Sequence, residues 1–287
     1  MRLGLTAIAI ALTTAATALA GPPTLDQVWR AEGFCNPEGV AEAPDGALFI
    51  SNVCGEGDAR DGDGFISRLS KSGEILDLRF IEGLDAPKGM AVHDGLLYVA
   101  DIDIVRIFDA ATGAALDGAP IEDAQFLNDA TVWQGDVFVS DSGAARIWRF
   151  TGTSIDLWRE GDTLRGVNGL LGVGDSLFIT TMPSGSLFEA TSSGGWRLVA
   201  SGMLNADGVG VADKASGGGF LVSAWPGKIY HVNKAGVVVT LLDTTAQKIF
   251  QNDLTILDGL IVVPNWEPGA VTAWRLKNER PANVRRN

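Results

Sequence analysis

Short apolar strands recur along the chain at intervals of about forty residues, and a polar residue opens each one. We name these polar residues the anchors: Glu38, Lys88, Asn128, Asn168, Asp207 and Asn252. Successive anchors lie 50, 40, 40, 39 and 45 residues apart, a period that is typical of propellers and solenoids. A ring of such repeats would bring equivalent positions together around one axis. Glu38 and Asp207, which are distant in sequence, would then share one site.

Each repeat contains the same series of short β-forming segments, separated by turns rich in Gly and Asp. In the first repeat these segments are residues 39–42, 48–51, 65–69 and 75–81. Val, Ile, Phe, Tyr and Trp between such turns are strand and hairpin signals, and no segment shows a sustained helical period. Four strands in each of six radial repeats predict an all-β fold, a six-bladed β-propeller.

The last repeat lacks an obvious fourth strand, and residues 25–31 at the other end of the chain can supply it. Pairing of this N-terminal strand with the last repeat would close the ring and remove an exposed sheet edge. Two repeats carry insertions, at residues 55–64 and 213–219.

The first twenty residues have the pattern of a secretory signal. Arg2 precedes an apolar, Ala-rich run that ends in a small-x-small cleavage site at Ala20. The alternative is an uncleaved anchor, although the run is short for a membrane span. We therefore expect a signal peptide at 1–20, the propeller at 21–280 and a polar tail at 281–287. The mature protein would be periplasmic or secreted.

The two cysteines, Cys35 and Cys54, lie on either side of a predicted hairpin turn at residues 44–46. Residues whose numbers sum to about 90 should face each other across this turn, and the two cysteines sum to 89. A disulfide is permitted in an exported protein. The alternative is a pair of buried free thiols.

The formal net charge of −13 argues against binding to nucleic acid or to an anionic membrane, because phosphate binding needs clustered Lys and Arg. Outside the N-terminal signal, no segment is long and apolar enough for membrane insertion. The expected partner is a small molecule. The sequence leaves the oligomeric state open.

The anchors themselves supply the candidate chemistry. Glu38 and Asp207 would contribute two carboxylates, and Asn128 and Asn168 two amide oxygens. This all-oxygen set suits Ca²⁺, with Zn²⁺, Mn²⁺ or Mg²⁺ as alternatives; zinc is disfavoured because the chain has 2 histidines. The competing interpretation is a hydrogen-bonded polar ring that plugs the channel.

Further candidates would form the substrate rim around this site. They are Asp129, Asn252, Trp225 and Trp266. The two tryptophans come at the ends of predicted strands, where an indole could stack on a sugar or cover an acyl chain. Packing between blades is an equally good explanation for both.

These motifs resemble those of the senescence marker protein/gluconolactonase (regucalcin-like) superfamily of six-bladed propellers, related to paraoxonase and diisopropyl fluorophosphatase. The matching segments are Pro37-Glu38-Gly39-Val40, Leu127-Asn128-Asp129, Val167-Asn168-Gly169-Leu170 and Ala206-Asp207-Gly208-Val209. The resemblance implies that Glu38, Asn128, Asn168 and Asp207 hold one divalent ion, with Asp207 also acting as base or nucleophile. Lys88 stands where paraoxonases have histidine, so their histidine-dyad chemistry is not expected.

The resulting hypothesis is a metal-dependent hydrolase of small esters, with a gluconolactonase-type lactonase as the leading case. Asp207 would activate water, and Lys88 would add positive charge near the oxyanion or bind an acidic substrate. The alternative is a non-catalytic periplasmic propeller that binds a ligand or a protein partner and contains a structural ion.

Overall fold

A computed structural model of the protein describes residues 23–152, 154–212 and 218–277. Within these ranges the strands form six sheets, arranged as the blades of a propeller, with 60% of the chain in strands and 2% in helix. The predicted all-β, six-bladed fold is confirmed. The expected signal peptide, the polar tail and residues 213–217 of the second insertion lie outside the described residues.

The first five blades each contain four strands, numbered from the axis outward. Blade 1 contains β2 (Pro37–Glu42), β3 (Leu48–Asn52), β4 (Gly64–Leu69) and β5 (Ile75–Leu84). Blade 2 contains β6 (Pro87–His93), β7 (Leu96–Asp101), β8 (Ile104–Asp109) and β9 (Ala119–Pro120). Blade 3 contains β10 (Leu127–Trp133), β11 (Asp136–Asp141), β12 (Arg146–Phe150) and β13 (Ile155–Glu160). Blade 4 contains β14 (Val167–Val173), β15 (Ser176–Thr181), β16 (Ser186–Thr191) and β17 (Trp196–Ala200). Blade 5 contains β18 (Ala206–Val211), β19 (Phe220–Ala224), β20 (Lys228–Val232) and β21 (Val238–Asp243).

The sixth blade joins the two ends of the described chain. It contains β22 (Phe250–Gln251), β23 (Thr255–Leu257), β24 (Leu260–Glu267), β25 (Ala270–Lys277) and β1 (Thr24–Glu32). Strand β1 pairs antiparallel with β25 along its whole length, so the N-terminal strand closes the ring as predicted.

The inner strand of this blade begins later than the repeat pattern predicts. The pattern predicts a strand that opens at the Asn252 anchor, and β23 starts at Thr255. The Asp253 carboxylate accepts the backbone N–H of Leu254 at 2.7 Å, so a side chain takes the place of a ladder partner there. Short 3₁₀ turns occur at Asp162–Leu164 and Thr245–Gln247. No helix among the described residues is long and apolar enough to span a membrane.

The hydrophobic core lies in the seams between neighbouring blades. In the seam between blades 1 and 2, Phe49 and Ile66 pack against Leu97 and Val99. Equivalent clusters occupy the other seams of the described ring. Because each blade is covered on both faces, its central strands are buried along their length, as in β3, where every residue is buried. The seams hold the inner strands, and with them the anchors, in a fixed ring.

Candidate functional site

The anchors stand at β-bulges at the entrance to the inner strands. In blades 1 to 5 the pairing of the first and second strands shifts register at the anchor, for example between Pro37 and Val40 in blade 1. A bulge frees residues from the ladder and re-aims their side chains. The same register pairs Pro37 with Asn52, which places the ends of the second strands beside the anchors on one face.

Serine hydroxyls from the second strands satisfy the backbone at these bulges. The N–H of Gly39 donates to Ser51 Oγ at 2.7 Å, and the N–H of Asp129 donates to Ser140 Oγ at 2.9 Å. Ser223 has the same role in blade 5, at 2.9 Å. The sequence analysis missed these residues. A sequence pattern that could have identified them is a serine one position before the end of the second strand, which recurs in several repeats.

Buried carboxylates at the ends of two second strands fix the segments that lead into the anchors. Asp101 accepts the N–H of Ala86 at 2.7 Å, and Asp141 accepts the N–H of Phe126 at 3.0 Å. Both carboxylates are fully buried. They therefore position Lys88 and Asn128, each two residues further along the chain. The sequence analysis did not identify this function.

Two glycines next to anchors make room for carboxylates of the following blade. A Cβ on Gly89 would lie 2.3 Å from Asp129 Oδ1, and a Cβ on Gly208 would lie 1.9 Å from Asp253 Oδ1. Neither distance is compatible with a side chain. The absence of a side chain at these positions therefore brings Asp129 and Asp253 up against the anchor ring.

All six anchors are more than nine-tenths buried. Their relative exposures are 5% for Glu38, 3% for Lys88, 8% for Asn128, 3% for Asn168, 2% for Asp207 and 8% for Asn252. Within the described residues, the side chains of the five anchors other than Lys88 make no hydrogen bond to the protein. None of their polar atoms is among the fully buried atoms without a partner in the described chain, so water or an ion can take the place of a protein partner.

Negative charge is concentrated around this ring. Burial raises the pKa of Glu38 well above its ordinary value, and the nearby Asp207 charge raises it further, whereas Lys88 lowers it. Burial, with a smaller contribution from Asp129, raises the pKa of Asp207 to about 7. The chain has therefore placed two carboxyl groups where neither is stable as an uncompensated anion.

Asp129 and Asp253 add two more carboxyl groups on the channel side of the ring. Burial raises the pKa of Asp129 to about 7, although its carboxylate accepts backbone N–H bonds from Leu170 and Ala130 at 2.6 and 2.7 Å. Burial and then the charges of Asp129, Asp207 and Glu38 raise the pKa of Asp253 well above its ordinary value. Both carboxyls line an open channel of about 700 Å³ that also reaches the turn at residues 44–46.

The predicted ligand set fits a hard divalent cation by its chemistry. Carboxylate and amide oxygens that lack protein partners and lie among further carboxyl groups are what Ca²⁺ binds. No three His, Cys, Asp or Glu side chains of the described chain lie close enough to hold a metal. Glu38, Asn128, Asn168 and Asp207 contain only two carboxylates, so such a site would depend on both amide oxygens and on water.

Lys88 is engaged by the protein rather than free in the ring. Its Nζ donates to Gly57 O at 2.7 Å and to Ala86 O at 2.9 Å, and it lies 4.4 Å from the centre of the Phe126 ring. Burial lowers its pKa, and the Glu38 charge opposes that shift. Two of the three N–H donors of this ammonium are thus committed to backbone carbonyls.

The two predicted rim tryptophans lie together. The Trp225 and Trp266 rings meet edge to face, with centroids 6.1 Å apart, and Phe250 lies 5.5 Å from Trp225. Both indoles are half-buried. The predicted disulfide is confirmed between Cys35 and Cys54, whose Cα atoms are 4.6 Å apart.

No protein-family model matches the sequence, and no curated protein matches it significantly. Solved structures do share its fold. A gluconolactonase from Xanthomonas campestris matches at 18% identity and a TM-score of 0.64, over 92% of this chain and 93% of that one. A putative gluconolactonase matches at 14% identity and 0.63, over 90% and 94%. A streptogramin B lyase matches at 12% identity and 0.63, over 89% and 98%.

At these identities the likeness establishes the six-bladed propeller. The resemblance found in the sequence motifs is therefore confirmed at the level of the fold. The neighbours carry out different reactions, so the fold alone does not select an activity for this chain.

Proposed function

We propose that the anchor ring holds one divalent cation, with Ca²⁺ favoured, and that the protein hydrolyses small esters, lactones first among them. The proposal rests on the burial of the ring side chains and on their lack of protein partners. Glu38, Asn128, Asn168 and Asp207 are each more than nine-tenths buried and have no side-chain partner within the described chain. Groups this buried and without protein partners favour binding of a cation that compensates them better than water does.

The ion would supply Lewis-acid polarisation of a substrate carbonyl and stabilise the oxyanion that develops on it. The protein's own contribution begins at Asp207. Burial raises the pKa of this carboxyl, and a cation bound beside it would keep it ionised, so that it could accept a proton at neutral pH. A carboxylate oxygen of Asp207 would take the proton of the attacking water. Thr180 Oγ1 donates to the Asp207 backbone carbonyl and so holds this residue in place.

Lys88 would donate fewer hydrogen bonds to a substrate than a free ammonium group could. Since Nζ already donates to Gly57 O and Ala86 O, one N–H remains for a substrate oxygen. Its positive charge would still act on a developing oxyanion through the low-dielectric interior.

The disulfide between Cys35 and Cys54 supports a further part of the proposal, that the protein works in the periplasm or outside the cell. Structural disulfides persist in oxidising compartments and are rare in the cytosol.

The test is a panel of lactones and aryl esters assayed with calcium-loaded protein, with metal-free protein and with Asp207→Asn. Hydrolysis that requires the ion and falls in the variant would support the proposal. Asp109→Asn is the matched control, because Asp109 is an exposed carboxylate that accepts a bond from Thr112 far from the ring. If calcium-loaded wild type turns over nothing in a broad panel, the hydrolase proposal fails and the ligand- or partner-binding alternative takes its place.

A further inference from the structure

An inserted loop lies against the anchor ring on the face where the inner strands begin. Residues 53–63 connect β3 to β4, and we name residues 55–63 the insertion loop. Its start is fixed by the disulfide between Cys35 and Cys54 and by the N–H of Cys54, which donates to Cys35 O at 3.1 Å. The loop therefore leaves blade 1 from a rigid base.

The loop reaches across the next two blades. Gly57 O accepts Lys88 Nζ of the blade 2 anchor at 2.7 Å. A Cβ on Gly57 would lie 3.6 Å from the Phe126 ring, which precedes the blade 3 anchor by two residues. Lys88 thus connects the loop above it to the ring, where its charge interacts with Glu38. This ammonium is the buried attachment of the loop.

A second attachment is exposed to solvent. Arg60 donates to both carboxylate oxygens of Asp103, at 3.0 and 2.7 Å, and the two side chains are 53% and 40% exposed. Asp103 lies in the turn between β7 and β8 of blade 2. Two parallel bonds give this pair geometric specificity, but water screens it. We expect it to favour the attached loop by about fivefold.

We propose that the insertion loop is a cover that selects substrates at the anchor ring, with Lys88 as the positioning residue that holds it down and the Arg60–Asp103 pair as a releasable clasp. This rests on the proposed function. An attached loop would exclude water and bulky substrates from the side of the anchor ring formed by blades 1 to 3. The site would then accept compact lactones and short acyl esters, and release of the clasp would admit longer acyl chains.

The clasp is tested first by hydrogen exchange, which needs no substrate. In Arg60→Gln, amide exchange across residues 55–63 should accelerate about fivefold, since exchange follows the detached population. The charge swap Arg60→Asp with Asp103→Arg should restore the slow rate. Arg165→Gln is the matched control, because Arg165 forms an exposed pair with Asp162 away from the loop. Unchanged exchange in Arg60→Gln overturns the clasp.

Lys88→Met is the second variant. It removes the donor to Gly57 O, so exchange across residues 55–63 should rise more than in Arg60→Gln. The rest of the ring of blades should exchange as in wild type, which shows that the fold is intact. Exchange in Lys88→Met that equals wild type within the loop overturns the role of Lys88 as its attachment.

Substrate selection is tested with a series of p-nitrophenyl esters of increasing acyl length. The ratio of kcat/KM for long over short chains should rise about fivefold in Arg60→Gln, through KM, and return in the charge swap. If exchange across residues 55–63 accelerates but the kcat/KM ratio is unchanged, the loop does not select substrates, and only the Arg60–Asp103 clasp is retained. If wild-type protein hydrolyses no ester, the proposed function fails and substrate selection fails with it, whereas the exchange result still decides the clasp.

Discussion

The charge on Asp207 should destabilise the protein when no cation is bound. Burial, with the charge of Asp129, raises the pKa of this carboxyl from an ordinary value near 4 to about 7. A carboxyl whose pKa is raised on folding binds protons more tightly in the folded state. Its ionisation therefore costs folding free energy as pH rises from about 4, and the cost is complete above about pH 7.

The magnitude follows from the size of the shift. Three pKa units correspond to about 4 kcal/mol at pH 8, and the cost at pH 5 is about 1.5 kcal/mol. Asp207→Asn keeps the shape of the side chain and removes the charge. In metal-free protein this variant should be more stable than wild type, and its advantage should be about 2–3 kcal/mol larger at pH 8 than at pH 5.

Thermal unfolding in EDTA at the two pH values measures this. For a chain of this length, the difference corresponds to a change in Tm of about 5–10 °C. Calcium should narrow the gap at pH 8: at a hundred times its Kd it should stabilise wild type by about 2.7 kcal/mol and the variant by much less. Asp109→Asn, in which an exposed carboxylate with a lowered pKa is removed, should gain no stability at pH 8. An Asp207→Asn variant less stable than wild type in EDTA at pH 8 would refute the reasoning, because the protein itself would then satisfy the carboxylate.

Further predictions concern the base, the disulfide and the close approach of the blades. With calcium bound, Asp207→Asn should lower kcat for ester hydrolysis by about a hundredfold or more while some metal still binds; equal kcat would remove Asp207 as the base. Denatured, unreduced protein should show no thiol reactive towards Ellman's reagent, and replacing both Cys35 and Cys54 by Ala should cost about 3 kcal/mol of unfolding free energy in urea titrations. Gly89→Ala should destabilise the fold by about 1–3 kcal/mol, since the new Cβ would meet Asp129; Gly55→Ala, which has ordinary contacts, serves as its control.

The repeat spacing and strand patterns were sufficient to predict the six blades and the closing strand. Each blade is stabilised by local hairpins, and its apolar strands pack in the same way in every seam. The anchors could be found for the same reason, because one position recurs in each repeat. The disulfide followed from the symmetry of the first hairpin, which pairs Ala41 with Phe49 and so places Cys35 beside Cys54.

What could not be predicted depends on contacts between repeats. The hydrogen bond from Lys88 to Gly57 O and its contact with the Phe126 ring join three blades. The sequence around residue 88 contains no pattern that predicts either contact. The pairing of Arg60 with Asp103 is of the same kind. The backbone bonds accepted by Asp101 and Asp141 also went unrecognised, because an acidic residue at the end of a strand has the same sequence pattern as a solvated turn.

The central claim, that the anchor ring holds one divalent ion, is tested most directly by calcium titration calorimetry of the metal-stripped protein. The account predicts about one ion per chain, with binding weakened at least tenfold in both Glu38→Gln and Asp207→Ala, since each removes a charged ligand. Asp109→Asn should bind as wild type does. Calcium affinity unchanged in both ring variants, or no binding by wild type, would contradict the claim.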